Sequence, residues 1–322
     1  MLHNFMTAAR EAGLTMAEYR SDPVKAAAAH VRFVEKYDPD GILIDFDTAT
    51  LAAAVGVPID DPEDLPSRVH SPLLPSLADL SGLGVPDIAR SGRVNVWLET
   101  CRLVKSRFGD EKFVRGNCDQ APFSLASMVR GLEGWFLDLA AEEEGVVALL
   151  EWCAGACRQF LRLMAGTGVD MVSNGDSAAG PALVSPRLYR KYAFPHERRL
   201  AAEAHRLGLP YVLHLCGDAG PILADMADTG ADGLELDSKT AIGRIHSVCA
   251  GRTALFGTLD PSSVLTLGTP AAVEAETRKI LETYANSPRL VLNAGCALPA
   301  ETPEANIRAF IRTARADPMN FS

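Results

Sequence analysis

Short apolar, β-prone runs alternate with longer amphipathic stretches along most of the chain. Most of these runs are short and mainly apolar, which is typical of strands buried on both faces of a parallel sheet. Seven of them predict strands, at 41–46, 113–117, 169–173, 211–215, 233–236, 253–257 and 289–293. The segment 93–97 is a candidate for an eighth strand.

The stretches between the predicted strands carry helical signals. Segment 138–163 is rich in Ala, Glu and Leu, and three further segments place apolar residues three and four positions apart, at 187–206, 218–229 and 270–284. Ser185-Pro186 and Thr302-Pro303 each place a capping residue before a proline at the first helical position. Because strands and helices alternate without a long linker, we expect one α/β domain over residues 1–322.

The number of strands and the chain length predict a (β/α)8 TIM barrel. Residues 1–40 are expected to form an N-terminal helical extension, and the segment 60–91, rich in Pro, Asp and Ser, an irregular excursion near the barrel mouth. A doubly wound open sheet is the alternative. That fold normally has a Gly-rich phosphate loop after its first strand, and residues 45–49 contain no glycine.

Composition narrows the classes of function. The formal net charge of −10 disfavours a sequence-independent nucleic-acid binder, which needs a basic surface. No run of about 18 apolar residues is present, so no membrane span is expected. The N-terminus lacks a secretory pattern, which predicts a cytoplasmic protein. Seven cysteines, an odd number in a long chain, favour free thiols over a disulfide framework.

The most informative residues are one histidine and two cysteines. His214 and Cys216 are two positions apart at the end of a predicted strand, so both side chains point to the same face. Cys296 follows the last strand, at the same rim of a barrel. Together they form a three-ligand zinc set with an open fourth position. The alternative is a packed histidine and two small core cysteines.

The ligand type indicates what such a zinc ion would do. Two thiolates cancel the charge of Zn²⁺, which makes the ion a weak Lewis acid toward water. An incoming thiol still binds it as a thiolate and stays electron-rich. Three neutral imidazoles would suit hydroxide generation better. The donor set therefore favours alkylation of a thiol over hydrolysis.

Several motifs resemble those of the uroporphyrinogen decarboxylase superfamily, and more narrowly its zinc-containing corrinoid methyltransferase branch, the methylcobalamin:coenzyme M methyltransferases and their relatives. They are His-x-Cys-Gly at 214–217, Gly-Cys-x-Leu-Pro at 295–299, Thr-Pro-Glu-x-Asn-Ile at 302–307, Ala-Pro-Phe-Ser-Leu-Ala at 121–126 and Gly-Thr-Leu-Asp-Pro at 257–261. The resemblance covers about residues 30 to 315. It implies a (β/α)8 barrel with zinc held by His214, Cys216 and Cys296.

The resemblance also implies a reaction. Zinc would hold a thiol that takes a methyl group from methylcobalamin, a corrinoid carried by a partner protein, since this chain has no Asp-x-His-x-x-Gly motif for the cobalt base. Coenzyme M, homocysteine, another thiol and a folate are all open as methyl acceptors. Methyl transfer in the reverse direction and assembly as a homodimer are open as well. The decarboxylases' N-terminal Arg-rich motif is absent, which disfavours porphyrinogen decarboxylation. A metal-independent decarboxylase or lyase is the alternative, and a non-catalytic corrinoid-binding protein a third hypothesis.

Five further residues near the predicted rim are candidates for catalysis and substrate binding. Asp176 is expected to orient or deprotonate the thiol or to act as a fourth zinc ligand, unless it only closes a turn. Asn174 precedes it after the same strand. Cys118 and Asp119 belong to a polar cluster after another strand. Asp45 ends the first strand, where it could hold an amine or hydroxyl of the substrate or cap a helix.

Overall fold

Seven parallel strands form one curled sheet in the computed structural model, which describes residues 1–142 and 144–316. Each strand pairs with the next one in sequence. In chain order, β1 to β7 are Gly41–Ile44, Phe113–Gln120, Met171–Gly175, Tyr211–Leu215, Gly233–Leu236, Ala254–Gly257 and Leu290–Val291. Helices surround this sheet, so the prediction of a (β/α)8 barrel-like fold is confirmed.

Three helices precede the first strand, as the sequence predicts, and the others follow the strands. The helices α1 to α14 are Phe5–Glu11, Met16–Ser21, Pro23–Tyr37, Thr50–Ala54, Gly92–Phe108, Pro122–Arg130, Leu132–Ala140, Gly145–Ala165, Pro186–Leu188, Phe194–Arg206, Leu223–Ala227, Ile242–Cys249, Pro270–Thr283 and Glu304–Ala316. Short 3-10 turns lie at Leu77–Gly82, Ile88–Arg90, Ser177–Ala179 and Gly220–Ile222, and a π-helical turn at Tyr189–Ala193 joins α9 to α10.

Side-chain caps explain where several helices begin. Thr15 and Glu18 form a reciprocal capping box at α2, in which each side chain accepts a hydrogen bond from the other residue's backbone N–H. Ser185 accepts from the backbone N–H of Leu188 at the start of α9. The capping signal at 185–186 is therefore used as the sequence indicates.

The candidate strand at 93–97 is wrong, because these residues begin helix α5. Val94, Trp97, Leu98 and Cys101 are all buried, at the spacing of one helical face. Trp97 packs between Phe46 and Phe160, with ring centroids 5.1 and 5.5 Å away. A five-residue window with two valines and a tryptophan cannot distinguish this pattern from a strand.

The predicted helix over 138–163 is two helices in the structure. Helix α7 ends at Ala140 and α8 begins at Gly145. Glu142, between them, has a φ of +52°, in the left-handed region that interrupts a right-handed helix. The composition of 138–163, rich in Ala, Glu and Leu, favours a continuous helix and gives no indication of this turn.

The N-terminal segment packs beside the last strand. The amino group of Met1 donates to the carbonyl of Leu292, at 2.9 Å, and the backbone N–H of Leu298 donates to the carbonyl of His3, at 2.7 Å. These contacts hold His3 at the end of the barrel where the carboxyl ends of the strands lie. Among the described residues, no helix has both the length and the apolar character needed to cross a membrane.

The segment 60–91 has little regular structure beyond a two-stranded hairpin and short turns. Ile59–Asp60 pairs antiparallel with Arg68–Val69. Residues 68–72 of this segment line a cavity at the carboxyl ends of the barrel strands. The segment therefore lies at the barrel mouth.

Candidate metal centre

Three side chains with metal-binding atoms meet at the carboxyl ends of β4 and β7. Nε2 of His214 lies 3.1 Å from Sγ of Cys216 and 3.9 Å from Sγ of Cys296. The two sulfur atoms are 3.4 Å apart. Among the described residues this is the one such group of three or more histidine, cysteine or acidic side chains. Residues 80 positions apart in sequence are therefore brought together as the sequence predicts.

The spacing of these atoms fits a tetrahedral zinc ion. With ordinary zinc–sulfur and zinc–nitrogen bond lengths, tetrahedral geometry places two sulfur ligands about 3.8 Å apart and a nitrogen and a sulfur about 3.6 Å apart. Each of the three observed distances lies within about half an ångström of these values. One imidazole and two thiols are also donors that zinc prefers. The residues present therefore fit this metal.

The two cysteines differ in their readiness to ionise. The hydrogen bond from Cys296, together with the nearby His214, lowers the pKa of the Cys216 thiol to about 4. The same hydrogen bond, with burial, raises the pKa of Cys296 well above its ordinary value. One thiolate is thus favoured before any metal binds, and a metal cation would favour the second.

Backbone geometry fixes both cysteines. The N–H of Cys216 donates to Oγ of Ser177, at 3.0 Å, and the following Gly217 has a φ of +93°, which lets the chain turn away from the strand. A Cβ on Gly295 would lie 2.9 Å from the carbonyl oxygen of Leu236. Only glycine allows this approach, which brings Cys296 to the end of β7.

A buried network supports the other side of His214. Oε2 of Glu235 lies 3.3 Å from Nδ1 of His214, which has no well-aligned hydrogen-bond partner among the described residues. Arg115 donates to both carboxylate oxygens of Glu235, at 2.8 and 3.2 Å, and to Oγ of Ser173 at 2.9 Å. Asn293 also donates to Glu235. Although burial opposes ionisation, Arg115 and His214 hold the pKa of Glu235 far below its usual range.

This network is of the kind that tunes a metal-bound histidine. A carboxylate on the second ring nitrogen selects the tautomer whose Nε2 lone pair faces the metal. It also makes that nitrogen more basic. The sequence analysis missed Glu235, Arg115 and Asn293. The available signal was a charged residue in the middle of each of two predicted strands, Arg115 in 113–117 and Glu235 in 233–236, which is rare in a buried strand unless the charge is paired.

The three candidate ligands line a cavity of about 850 Å³ at the barrel mouth. Its wall combines apolar side chains, such as Phe5, Met6 and Leu43, with polar residues at the strand ends. A cavity of this size accommodates a small molecule next to the metal centre.

Two of the predicted substrate-binding residues lie on this cavity wall. Asp45 is 3% exposed, and its Oδ2 contacts Nε2 of His3. Asp119 is 1% exposed, and its Oδ2 accepts from the backbone N–H of Leu51 at 2.6 Å. Both carboxyl groups therefore combine a fixed position with access to the cavity.

The other three predicted residues lie behind the wall. Cys118 belongs to the hydrophobic core, and the side-chain amide of Asn174 donates to the carbonyls of Cys118 and Gln120. Asp176 is fully buried, and its Oδ1 accepts from the backbone N–H of Ser124 at 2.7 Å. None of the three is among the residues that line the cavity in the described part of the chain.

Comparison with known proteins places these features in a family. The model of the family described as uroporphyrinogen decarboxylase (URO-D) matches residues 4–316. Methylcobamide:CoM methyltransferase MtbA of Methanosarcina mazei is 31% identical over 229 residues, 70% of this chain, and the match spans 64% of MtbA, slightly less than two thirds. Uroporphyrinogen decarboxylase of Thermus thermophilus is 28% identical over 301 residues, 91% of this chain and 84% of that protein.

The solved structures agree on the fold. A methyltransferase from Methanosarcina mazei superposes with a TM-score of 0.89 and 23% sequence identity, and the match covers 97% of this chain and 91% of that one. At this identity the likeness establishes the barrel architecture alone. The family match extends over nearly the whole described chain. The chain therefore belongs to the uroporphyrinogen decarboxylase family.

Proposed function

We propose that this protein is a zinc-dependent methyltransferase that moves a methyl group from a corrinoid, carried by a partner protein, to a thiol. The observation that carries the proposal is the cluster of His214, Cys216 and Cys296 on the wall of a cavity large enough for a substrate. The similarity to a protein named methylcobamide:CoM methyltransferase supports the same reaction class.

The metal would be held by His214, Cys216 and Cys296. When bound, zinc with these ligands supplies an electrostatic partner that keeps a substrate thiol deprotonated at neutral pH without removing its nucleophilicity. Two thiolate ligands offset the ion's charge, so hydrolytic chemistry is disfavoured.

The protein's own residues hold and shield this arrangement. Glu235 and Arg115 fix the ring of His214, and the backbone turn at Gly217 orients Cys216. Apolar side chains form part of the cavity wall next to these polar groups. The substrate sulfur then attacks the methyl carbon in line with the cobalt–carbon bond. That bond breaks with both electrons remaining on cobalt, and the corrinoid leaves as Co(I).

We assign Asp176 a positioning role within this proposal. Its Oδ1 holds the backbone of Ser124, and Oγ of Ser124 in turn accepts from the backbone N–H of Ala178, at 3.1 Å. Asp176 thereby connects helix α6 to the turn that contains Ser177, the residue bonded to Cys216. The prediction that Asp176 itself handles the thiol proton stays a prediction, as do the roles of Asn174 and Cys118 in substrate binding.

A metal-independent decarboxylase is the second candidate. The similarity to uroporphyrinogen decarboxylase of Thermus thermophilus and the acidic residues on the cavity wall favour it. Metal analysis separates the two candidates, because one zinc ion per chain is expected for methyl transfer and none for the decarboxylase.

The deciding experiment combines metal removal with a direct assay. Methylcobalamin absorbance is followed with the purified protein and a thiol, before chelation, after chelation and after zinc is restored. We expect thiol-dependent loss of methylcobalamin that disappears on chelation and returns with zinc, while circular dichroism is unchanged. Full activity in the metal-free protein would refute the proposal.

A further inference from the structure

Each cationic side chain that lines the cavity, within the described residues, already has an acidic partner. Arg115 pairs with Glu235 at 2.8 Å, and Arg68 pairs with Asp60 at 3.2 Å. Two histidines on the wall also contact carboxylates. Nδ1 of His70 lies 2.9 Å from Asp60, and the buried His3 contacts Asp45. No lysine or arginine that lines the cavity, within the described residues, is without a carboxylate partner.

Buried carboxyl groups are more numerous than cations on the inner wall. Asp45, Asp47 and Asp119 are each 1 to 3% exposed and line the cavity at the ends of β1 and β2. Arg93 compensates Asp47 from behind, at 2.8 Å. Asp119 has no cationic partner among the described residues: its oxygens accept from the backbone N–H of Leu51 and from the side-chain amide of Gln120.

The surroundings of Asp119 disfavour its ionised form. Burial, together with the nearby charges of Asp47 and Asp45, raises the pKa of Asp119 well above its ordinary value. A cation placed beside this group would favour the ionised form and reverse that effect. An anion would add another negative charge to a wall that already carries several.

These charges decide which substrate tail the cavity can hold. A buried ion without a counter-ion is strongly unfavourable, because it loses its hydration. A sulfonate in this cavity would pay that cost without gaining a cationic partner. A protonated amine would instead gain carboxylate partners. The apolar stretches of the wall tolerate an uncharged tail.

We propose that the thiol substrate carries a positively charged amine, which Asp45 and Asp119 bind while its sulfur reaches the metal centre. This inference rests on the proposed zinc–thiol function and adds the charge class of the substrate. It sets the chain apart from MtbA, whose name specifies the anionic thiol coenzyme M.

Three thiols with the same two-carbon spacer test this inference. Cysteamine, 2-mercaptoethanol and 2-mercaptoethanesulfonate (coenzyme M) carry tails with charges of +1, 0 and −1. Each is titrated into Co²⁺-substituted protein. The increase in sulfur-to-cobalt charge-transfer absorption, above that of the two cysteine ligands, reports thiol binding without any methyl transfer. We expect cysteamine to bind at least about tenfold more tightly than coenzyme M, with 2-mercaptoethanol between them.

Variants separate recognition by the wall from the intrinsic acidity of each thiol. Asp119→Asn and Asp45→Asn should each reduce the ratio of cysteamine to coenzyme M affinity by about fivefold or more. Asp110→Asn is the matched control, because it removes the same charge from an exposed carboxylate at the end of α5 and should leave the ratio unchanged. Thermal unfolding of each variant verifies that the barrel is folded.

The outcomes separate the proposed charge of the substrate from the proposed zinc–thiol function. If coenzyme M binds as tightly as cysteamine, or if neither cavity variant changes the ratio, the inference is overturned and the zinc–thiol function stands. If none of the three thiols increases the charge-transfer absorption, the proposed function fails and the inference falls with it.

Discussion

His214 and Glu235 are register partners on the adjacent strands β4 and β5, and Nδ1 of the imidazole lies 3.3 Å from Oε2 of the carboxylate. Because the pairing of the two strands sets this distance, the orientation of the candidate ligand depends on the sheet as well as on its own loop. Arg115 on β2 holds the far side of the same carboxylate. Three strands of the barrel therefore cooperate in orienting one nitrogen toward the candidate metal centre.

Replacing Glu235 tests this relationship. Glu235→Gln keeps the size of the side chain and removes its charge, so we expect zinc affinity to fall by about 10- to 100-fold. Competition with a chromophoric chelator measures the change. The single variant also leaves the buried Arg115 without a counter-charge, which costs about 3–5 kcal/mol of stability.

The double variant Glu235→Gln with Arg115→Met separates the two effects. It removes both buried charges, so the free energy of unfolding in urea should recover toward the wild-type value. Zinc affinity should stay low, because the ring of His214 still lacks its carboxylate. Recovery of zinc affinity together with stability would mean that Glu235 balances Arg115 and does not orient His214.

Gly295 gives a second test, since it brings Cys296 to the metal centre. In Gly295→Ala, the new Cβ would lie 2.9 Å from the carbonyl oxygen of Leu236 and 3.0 Å from Cα of Asp237. Backbone atoms cannot move aside cheaply, so the loop must shift. We expect weaker zinc binding and a loss of about 1–3 kcal/mol in the free energy of unfolding.

Gly243→Ala is the matched control for that substitution. Gly243 lies in helix α12, and a Cβ there meets no atom within 4 Å. The control should bind zinc normally and gain up to about 1 kcal/mol in stability, because alanine is the better helix former. Equal zinc affinity in the two alanine variants would contradict the role of Gly295.

The sequence predicted much of the barrel, and it predicted that His214, Cys216 and Cys296 lie close together, because both predictions depend on local spacing and barrel topology. Two residues two apart on a strand share a face whatever surrounds them, so His214 and Cys216 could be paired from their spacing alone. The barrel topology then brought Cys296 to the same rim. Glu235 and Arg115 could not be paired in this way, because they lie 120 positions apart and carry no joint spacing signal.

Local irregularity explains why the sequence could not distinguish the positions of Cys118 and Asp119, two neighbours in one predicted polar cluster. The register between β2 and β3 shifts between Asn117 and Gln120, so the alternation of faces is interrupted there. Asp119, with a φ of +58°, faces the cavity, whereas the neighbouring Cys118 enters the core. A strict two-residue period cannot predict which of these side chains points inward.

Removing a candidate ligand should remove the metal. We expect Cys296→Ala to reduce zinc from one ion per chain to well below one, measured by mass spectrometry on protein dialysed against trace chelator. Cys249→Ala is the control, because Cys249 lies in helix α12 with its side chain packed in the hydrophobic core. Burial raises the pKa of that thiol to about 11, so it stays protonated and unsuited to metal binding. One zinc ion per chain in Cys296→Ala would remove this residue from the ligand set.

The folded protein should lose stability in acid because of His30, a buried histidine near Asp45. Tyr19 donates to the backbone carbonyl of Asp45 at 2.8 Å, and its hydroxyl lies 2.7 Å from Nε2 of His30. Burial lowers the pKa of His30 to about 4. In the unfolded chain, histidine titrates at about 6.5. Between these two pKa values the histidine binds a proton in the unfolded chain but not in the folded protein. The free energy of unfolding therefore falls as pH drops from about 6.5 to about 4.

Urea unfolding at several pH values measures this effect. The lowered pKa of His30 corresponds to a loss of about 3 kcal/mol in the free energy of unfolding at the acid end of this range. In His30→Gln this part of the pH dependence should disappear. His205→Gln, which changes a histidine with a half-exposed side chain, should keep it. If His30→Gln retains the full wild-type pH dependence, the acid sensitivity originates from other groups.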